Sequence, residues 1–206
     1  MSSADALGAP SETADAGDVE ELRAALAEAK ARIVQLETLA HVDELTGLLN
    51  RRGFRREIER AASYSQRYDV AVVLVMIDLD GFKAINDTHG HPAGDAALVH
   101  VAKLLSSSVR ASDIVARLGG DEFALLLWHA DMAAAAGAMI KLQAKLGASP
   151  LMFDGAQIGV RASVGLSALT ATRPIEEAIA EADRHLYAAK QYRHAGGQEP
   201  GQPGGR

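Results

Sequence analysis

The stretch IVARLGGDEFALLLW, residues 114–128, decides the fold that this sequence predicts. Two apolar runs, residues 114–118 and 123–128, flank the polar tip Gly119-Gly120-Asp121-Glu122. Short apolar runs on either side of a glycine turn predict a β-hairpin. A hairpin turn alone accounts for the Gly-Asp pair at residues 120 and 121. It does not require the second acid, Glu122, so the tip is also a candidate functional site.

Around this hairpin the hydrophobic pattern predicts an α/β sandwich. Residues 70–77 are continuously apolar and rich in valine, which favours a central strand buried on both faces. Further strand is predicted over residues 157–169, and residues 80–94 are polar and turn-prone. Helical periodicity predicts four helices, over residues 51–68, 95–109, 133–146 and 174–192. This order favours helices packed on a mixed, largely antiparallel sheet.

The N-terminal part of the chain carries a heptad pattern over residues 18–40. Apolar residues recur at steps of three and four at Val19, Leu22, Leu26, Ala29, Ile33, Leu36 and Ala40. The pattern predicts either a short coiled coil that pairs two chains or an amphipathic helix packed on its own domain. Residues 1–17 and the Gly/Pro-rich residues 196–206 are predicted to be disordered, which leaves residues 41–195 as the folded domain.

The composition excludes several classes of function. The 206 residues contain no cysteine, which excludes disulfides, thiolate metal sites and cysteine nucleophiles. The formal net charge of -6 argues against a nucleic-acid partner. The longest apolar run is far shorter than the roughly 20 residues that cross a bilayer, and residues 1–18 lack the pattern of a signal peptide. We therefore expect a cytoplasmic protein with no membrane segment.

Carboxylates at two places in the chain predict a metal site. Asp78 and Asp80 end the central strand, and alternation points both to the same side. If the hairpin lies beside this strand, Asp78 approaches Asp121 or Glu122, and such acids repel one another unless a cation lies between them. Oxygen ligands together with phosphate favour Mg2+. The alternative interpretation is a polar strand end that only faces water.

Four motifs together resemble the GGDEF-domain diguanylate cyclases. They are DELTGLLNRR at residues 43–52, the run from DLDGFKAIND to GD over residues 78–95, GGDEF at residues 119–123 and ADRHLYAAK at residues 182–190. They occur in the family's order and spacing, and the resemblance covers about residues 40–194. It implies a fold similar to the palm of nucleotide cyclases and polymerases.

The resemblance implies a reaction and a metal. Two GTP molecules, one on each of two domains, would condense to cyclic di-GMP with release of two pyrophosphates. Two Mg2+ ions per half-site, with Mn2+ as an alternative, would be held by Asp78, the Leu79 carbonyl, Asp121 and Glu122. Glu122 is implied either as a metal ligand or as the base that accepts the hydroxyl proton. Gly119 and Gly120 complete the catalytic turn, where Gly120 leaves room for the ligand.

The resemblance also implies contacts to GTP. Asn86 and Asp95 match the residues that hydrogen bond guanine, although the residues alone also fit a loop turn and a helix N-cap. Phosphate contacts are implied for the side chains of Lys83 and Lys190 and for the backbone amides of Asp80, Gly81 and Phe82.

The closing helix departs from the family pattern after Lys190. The family's phosphate-binding arginine aligns with His194, and Arg193 lies one position earlier, which is about 100° around a helix. Either Arg193 substitutes from the helix end or phosphate binding is weakened. We expect reduced affinity for GTP with the chemistry retained.

Arg110 and Asp113 have the spacing of the family's RxxD site for product inhibition, just before the hairpin. The resemblance implies that cyclic di-GMP binds there as an inhibitor, since the planar fork of arginine suits phosphate and guanine. The alternative is the end of the helix over residues 95–109, with Asp113 as a cap.

Three functions fit these residues: an active diguanylate cyclase, a degenerate domain that senses GTP or cyclic di-GMP, and a coiled-coil scaffold. The complete set of acids and lysines favours the active cyclase, working as a homodimer through residues 18–40. The sequence identifies neither an input signal nor a protein regulator.

Overall fold

The computed structural model describes residues 16–170 and 172–194, apart from the side chains of residues 16–18, 31, 33–40 and 194. The chain divides into two compact units, residues 1–39 and 40–206. The first unit is represented by helix α1 (Ala16–His41), which begins two residues before the predicted start. Its apolar side chains Val19, Leu22 and Leu26 are 38%, 69% and 54% exposed. The predicted tails at residues 1–15 and 196–206 and the heptad side chains 33, 36 and 40 lie outside the described residues.

The second unit surrounds one sheet with helices. Its helices are α2 (Arg51–Tyr68), α3 (Phe82–His89), α4 (His91–Ser106), α5 (Met132–Ala148) and α6 (Ile175–His194). Its strands are β1 (Val72–Leu79), β2 (Ile114–Gly119), β3 (Glu122–Trp128), β4 (Leu151–Phe153), β5 (Ala156–Ile158) and β6 (Ala162–Leu169).

The main sheet has the strand order β2-β3-β1-β6, and its three neighbouring pairs are antiparallel. In the described part of the chain, one parallel bridge joins Leu49 to Ala116 of β2. The strands β4 and β5 form a separate two-stranded sheet. The predicted α/β sandwich with a largely antiparallel sheet is therefore confirmed. No helix in the described part of the chain is long and apolar enough to cross a bilayer.

The central strand β1 is buried on both faces, as its continuous apolar run predicts. Its odd-numbered residues, such as Val75 and Ile77, pack in the core formed with α4 and α5. Its even-numbered residues, such as Leu74 and Met76, pack in the core formed with α2 and α6. Each fully buried aliphatic side chain contributes roughly 1.5–3 kcal/mol of transfer free energy. The two cores fix the strand whose last residues are Asp78 and Leu79.

Two predicted elements are wrong in their extent. Residues 80–94 are not a continuous loop, because α3 and the first turn of α4 occupy them and Gly90 joins the two helices with φ 82°. The strand predicted over residues 157–169 is two strands, since β5 pairs with β4 and β6 begins only at Ala162. The β4–β5 hairpin turns at Asp154-Gly155, both with positive φ, which is a turn signal that the sequence interpretation missed.

Candidate active site

The glycine turn lies beside the end of the central strand. In the pairing of β1 with β3, Asp78 is opposite Glu122 and Ile77 is opposite Phe123. The Leu79 amide donates a hydrogen bond to the Asp121 carbonyl at 3.3 Å. Gly119 and Gly120 have φ 139° and 54°, conformations that side chains with a Cβ rarely adopt. The hairpin therefore brings Asp121 and Glu122 next to Asp78, as predicted.

Asp78 is a buried carboxylate that pairs with Lys190 and lies near two further acids. Its residue is only 8% exposed, and its Oδ2 lies 2.7 Å from the Lys190 Nζ. Burial raises the pKa of Asp78, the hydrogen bond from Lys190 opposes this, and the charges of Asp121 and Glu122 raise the pKa further. A cation beyond Lys190 would therefore be stabilised at this position.

The oxygen donors at this position fit a hard divalent cation. Asp78, Asp121 and Glu122 supply carboxylates, and Leu79 supplies a backbone carbonyl, which are ligand types that Mg2+ accepts. Within residues 16–170 and 172–194, no three His, Asp or Glu side chains are close enough together to hold a metal as they stand. Glu122 instead forms an ion pair with Arg51 at 3.1 Å. The site thus has ligand types that suit a metal. In this structure, however, Glu122 pairs with Arg51 and Asp78 pairs with Lys190.

Two arginines hold the hairpin in place. The guanidinium of Arg117 donates to the Gly120 carbonyl from Nε and Nη2 at 3.0 and 2.9 Å. Its Nη1 donates to both oxygens of Asp43 at 3.1 Å. Arg51 donates from Nε to the Leu118 carbonyl at 3.0 Å. The turn is therefore fixed by side chains outside the tip, which sequence reasoning missed, although an arginine inside the apolar run of β2 was a visible signal.

Asp43 gives the opening motif a structural role. Its Oδ1 accepts hydrogen bonds from the Thr46 amide and hydroxyl at 2.9 and 2.6 Å, in addition to the Arg117 contact. Burial acts to raise the pKa of Asp43, but the hydrogen bonds from Thr46 and Arg117 outweigh it, and the pKa is lowered. Asp43, Thr46 and Arg117 thus form a charge-compensated support for the Gly120 carbonyl.

The end of α6 supplies cations to the other side of the site. Arg193 Nη1 lies 2.7 Å from Asp80 Oδ2, and the Ser163 hydroxyl donates to Asp80 Oδ1 at 2.7 Å. Asp78 and Asp80 therefore both face α6, which confirms that they point to one side.

A Cβ on Gly165 would overlap the Ala182 carbonyl and lie 2.5 Å from the Leu186 amide nitrogen. This glycine in β6 allows α6 to lie close enough for these contacts. The side chain of His194 is outside the described residues.

The predicted guanine residues Asn86 and Asp95 lie on α3 and α4, and the predicted phosphate residue Lys83 lies on α3. The Asp80 amide, which was predicted to contact phosphate, instead donates to the Arg161 carbonyl at 2.9 Å. Asn86 is half-buried, whereas Lys83 and Asp95 are exposed. Gly81, with φ 73°, precedes the first turn of α3, whose unpaired amides are suited to phosphate. Asp95 does not cap α4, because that helix begins at His91 with a proline in its first turn. The N-cap alternative for Asp95 is therefore wrong.

Arg110 and Asp113 form a turn before β2. The helix α4 ends at Ser106, so the alternative that Asp113 caps this helix is wrong. Asp113 instead accepts from the Arg110 amide at 2.9 Å and from the Trp128 amide at 3.0 Å, while the Arg110 side chain is exposed. Trp128 pairs with Val72 at the opposite end of the strands from Glu122. Six residues of strand separate the two ends, which is about 20 Å.

These features define a nucleotide-cyclase-like domain with an acidic glycine turn. The chain matches the family model described as diguanylate cyclase, GGDEF domain, over residues 40–195. The chain therefore belongs to the GGDEF family, and the resemblance found in its motifs is confirmed.

Individual relatives agree with this assignment. The chain is 36% identical over 170 residues to the bifunctional diguanylate cyclase/cyclic di-GMP phosphodiesterase MucR of Pseudomonas aeruginosa. That match covers 82% of this chain and 24% of MucR, so the chain spans about a quarter of that relative's length.

Two crystal structures have a similar fold. Diguanylate cyclase SiaD of Pseudomonas aeruginosa, in complex with its activator SiaC, superposes with a TM-score of 0.70 at 31% identity, covering 83% of this chain and 68% of SiaD. The coiled coil and GGDEF domain of DgcB from Caulobacter crescentus, in complex with c-di-GMP, superposes with a TM-score of 0.79 at 23% identity. That similarity covers 87% of this chain and 94% of the DgcB chain, and it concerns the fold alone.

Proposed function

We propose that this chain is a diguanylate cyclase, which condenses two GTP molecules into cyclic di-GMP and two pyrophosphates. The observation that carries the proposal is the position of Asp121 and Glu122 beside the buried carboxylate of Asp78 at the end of the central strand. Family membership over residues 40–195 supports the same reaction.

The carboxylates of Asp78, Asp121 and Glu122 and the Leu79 carbonyl would hold Mg2+, with Mn2+ as an alternative. Such an ion would polarise the α-phosphate and lower the pKa of the attacking 3′-hydroxyl. Glu122 is either one of these ligands or the group that accepts the hydroxyl proton. In this structure its Oε2 pairs with Arg51 at 3.1 Å.

The remaining residues bind and orient GTP. Lys83 and Lys190 are cations for the phosphates, and the Nζ of Lys190 lies 2.7 Å from the Oδ2 of Asp78. Asn86 and Asp95 read guanine, since a carboxylate accepts from N1–H and the 2-amino group and thereby rejects adenine. The hydrogen bond from Leu79 to Asp121 and the Arg117 clamp on Gly120 keep the turn open for the α-phosphate.

The reaction is tested by incubating the purified chain with GTP and Mg2+ and separating the products by chromatography. We expect cyclic di-GMP and pyrophosphate in a 1:2 ratio. Asp121→Ala is expected to abolish both products while its circular dichroism spectrum stays that of the wild type. Binding of GTP without turnover in the wild type would instead identify a sensor domain.

The reaction needs two domains, and we propose that α1 pairs two chains as a coiled coil. The exposure of Val19, Leu22 and Leu26 supports an unfilled apolar seam on this helix. Specific activity is expected to rise with protein concentration until the dimer is complete. A specific activity that is constant down to nanomolar protein would refute pairing as a requirement.

We also propose that Arg110 and Asp113 bind cyclic di-GMP as an inhibitor. The exposed guanidinium of Arg110 is available for phosphate, and Asp113 is held rigidly by two backbone amides. Arg110→Ala is expected to relieve inhibition by added cyclic di-GMP and to leave the first turnovers unchanged. The proposal is wrong if the wild-type rate does not respond to added product.

A further inference from the structure

The guanine-reading side chain of Asn86 lies directly against the backbone of Gly94. A Cβ built on Gly94 would overlap Asn86 Oδ1 and would lie 2.9 Å from Asn86 Cγ and 3.2 Å from Phe82 Cζ. Real Cβ atoms essentially never come within 3.0 Å of another atom, so the contacts with Asn86 could not remain as they are. The amide of Asn86 therefore has its present position only because residue 94 has no side chain.

The helices that carry these two residues cannot easily separate. On the buried side of the α3–α4 pair, Ile85, Ala93 and Ile158 form a small core in which each is at most 9% exposed. The Gly90 amide donates to the Asn86 carbonyl at 2.8 Å and ties the end of α3 to the start of α4. A side chain at position 94 would therefore displace the Asn86 amide rather than the helices.

No hydrogen bond from a residue in the described part of the chain orients the Asn86 amide. Asn86 is a half-buried residue that a ligand can reach, and contact with Gly94 determines where its amide lies. Gly94 is also followed directly by Asp95, the other residue assigned to guanine. The close approach of Gly94 to Asn86 thus determines how the Asn86 amide is placed relative to Asp95.

We propose that Gly94 is a positioning residue for base recognition, which places the Asn86 amide beside Asp95 so that both groups read the same purine. This inference rests on the proposed GTP-binding role of the site. It assigns Gly94 no contact with the nucleotide and no part in the chemistry. Its effect passes through the position of Asn86.

The test uses the full chain and four variants: Gly94→Ala, Asn86→Ala, the double variant, and Gly137→Ala as a control. Gly137 is also a helical glycine, but a Cβ there would meet nothing within 4 Å. Initial rates are measured against GTP and ITP, and KM and kcat are determined for each. Binding of guanosine 5′-[α,β-methylene]triphosphate with Mg2+ is measured by calorimetry.

We expect Gly94→Ala to raise KM for GTP roughly tenfold, the loss expected for one misplaced hydrogen-bonding group, and to leave kcat nearly unchanged. Its preference for GTP over ITP should match that of Asn86→Ala. The double variant should be no worse than either single variant, because residues that act through one contact are not additive. Gly137→Ala should retain the wild-type KM.

Two kinetic outcomes would overturn the proposal: a wild-type KM in Gly94→Ala, or effects that multiply in the double variant. If Gly94→Ala fails to fold, the added Asn86→Ala change should restore folding by removing the overlapping oxygen, and failure to do so also overturns it. A wild type that binds the analogue but makes no cyclic di-GMP would refute the proposed function. The affinity of Gly94→Ala for the analogue would then decide the proposal for Gly94. A wild type that does not bind the analogue refutes both.

Discussion

Two carboxylates beside the glycine turn each have a cationic partner, yet their pKa values shift in opposite directions. Asp43 is paired with Arg117 and hydrogen bonded to Thr46, and its pKa is lowered. Asp78 is paired with Lys190 but buried near Asp121 and Glu122, and its pKa is raised. At Asp43 the hydrogen bonds to the carboxylate outweigh its burial, and we call this the completed pair. At Asp78 burial and the neighbouring acids outweigh the contact with Lys190, and we call this the incomplete site. The difference agrees with the proposed roles, in which Asp43 belongs to a structural ion pair and Asp78 is a metal ligand.

The largest expected effect is the loss of cyclase activity when the charge of Asp78, in the incomplete site, is removed. Asp78→Asn should lower cyclase activity about a thousandfold, since metal stabilisation of the transition state is worth several kcal/mol. In EDTA the same variant should be at least as stable as the wild type, because it removes a buried charge that its surroundings disfavour. Activity is measured with GTP and Mg2+, and stability by urea unfolding. Glu176→Gln, at an exposed acid of α6, is the matched control and should change neither value. A clear loss of stability in Asp78→Asn would make this pair structural as well.

Breaking the completed pair of Asp43 and Arg117 should instead lower stability. Arg117→Ala should lower the free energy of unfolding by about 3 kcal/mol, because it leaves the partly buried Asp43 without its cation and frees the Gly120 carbonyl. The loss should be the same with and without Mg2+ in urea titrations. Arg55→Ala removes an exposed ion pair with Glu59 and should stay within about 0.5 kcal/mol of the wild type. If the two variants are equally stable, the Arg117 clamp does not support the turn.

A pH series distinguishes the two carboxylates without removing either cation. The folded pKa of Asp43 is below its ordinary value of 3.8, so its stabilisation is present above that pH and is lost as pH falls through the folded pKa. The folded pKa of Asp78 is above 3.8, so its contribution is complete below 3.8 and is lost as pH rises through the folded pKa. The stability differences between the wild type and Asp43→Asn or Asp78→Asn should therefore have slopes of opposite sign, each below about 1.4 kcal/mol per pH unit. Slopes of the same sign in EDTA would contradict the comparison.

The smallest expected effect lies at the end of α6, where Arg193 is engaged by Asp80 at 2.7 Å. An arginine one residue later would add a phosphate-binding cation without removing that ion pair. His194→Arg should lower KM for GTP about threefold, a gain typical of one exposed charge–charge contact, with kcat unchanged. His194→Gln, which adds no charge, is the control. An unchanged KM in His194→Arg would show that phosphate binding is already complete.

The sequence predicted those parts of the fold that depend on local pattern. The helix over residues 51–68 has the predicted bounds, because Asn50 caps it and Phe54, Ile58 and Ala61 repeat on one face. The helix α3 was missed because Ile85 is its only buried residue, so its eight residues carry almost no periodic signal. The break between β5 and β6 was missed because apolar residues continue through it at Val160.

The site was predictable to the extent that its residues belong to recognisable motifs. The acids of the tip and Asp78 could be brought together from strand pairing alone. The contacts of Arg117 with Asp43, and of Gly94 with Asn86, could not be predicted, because they depend on how distant segments approach in three dimensions. Such supporting contacts leave no spacing rule in the sequence.

The single parallel bridge between Leu49 and Ala116 also protects the sheet against self-association. Strand β2 is at the edge of the sheet, and an uncovered edge is a template for pairing with another chain. The Arg117 amide, which would otherwise face outward from that edge, donates to the Leu49 carbonyl at 2.8 Å. The segment that supports the catalytic turn through Asp43 therefore also covers part of the edge at which neighbouring molecules would aggregate.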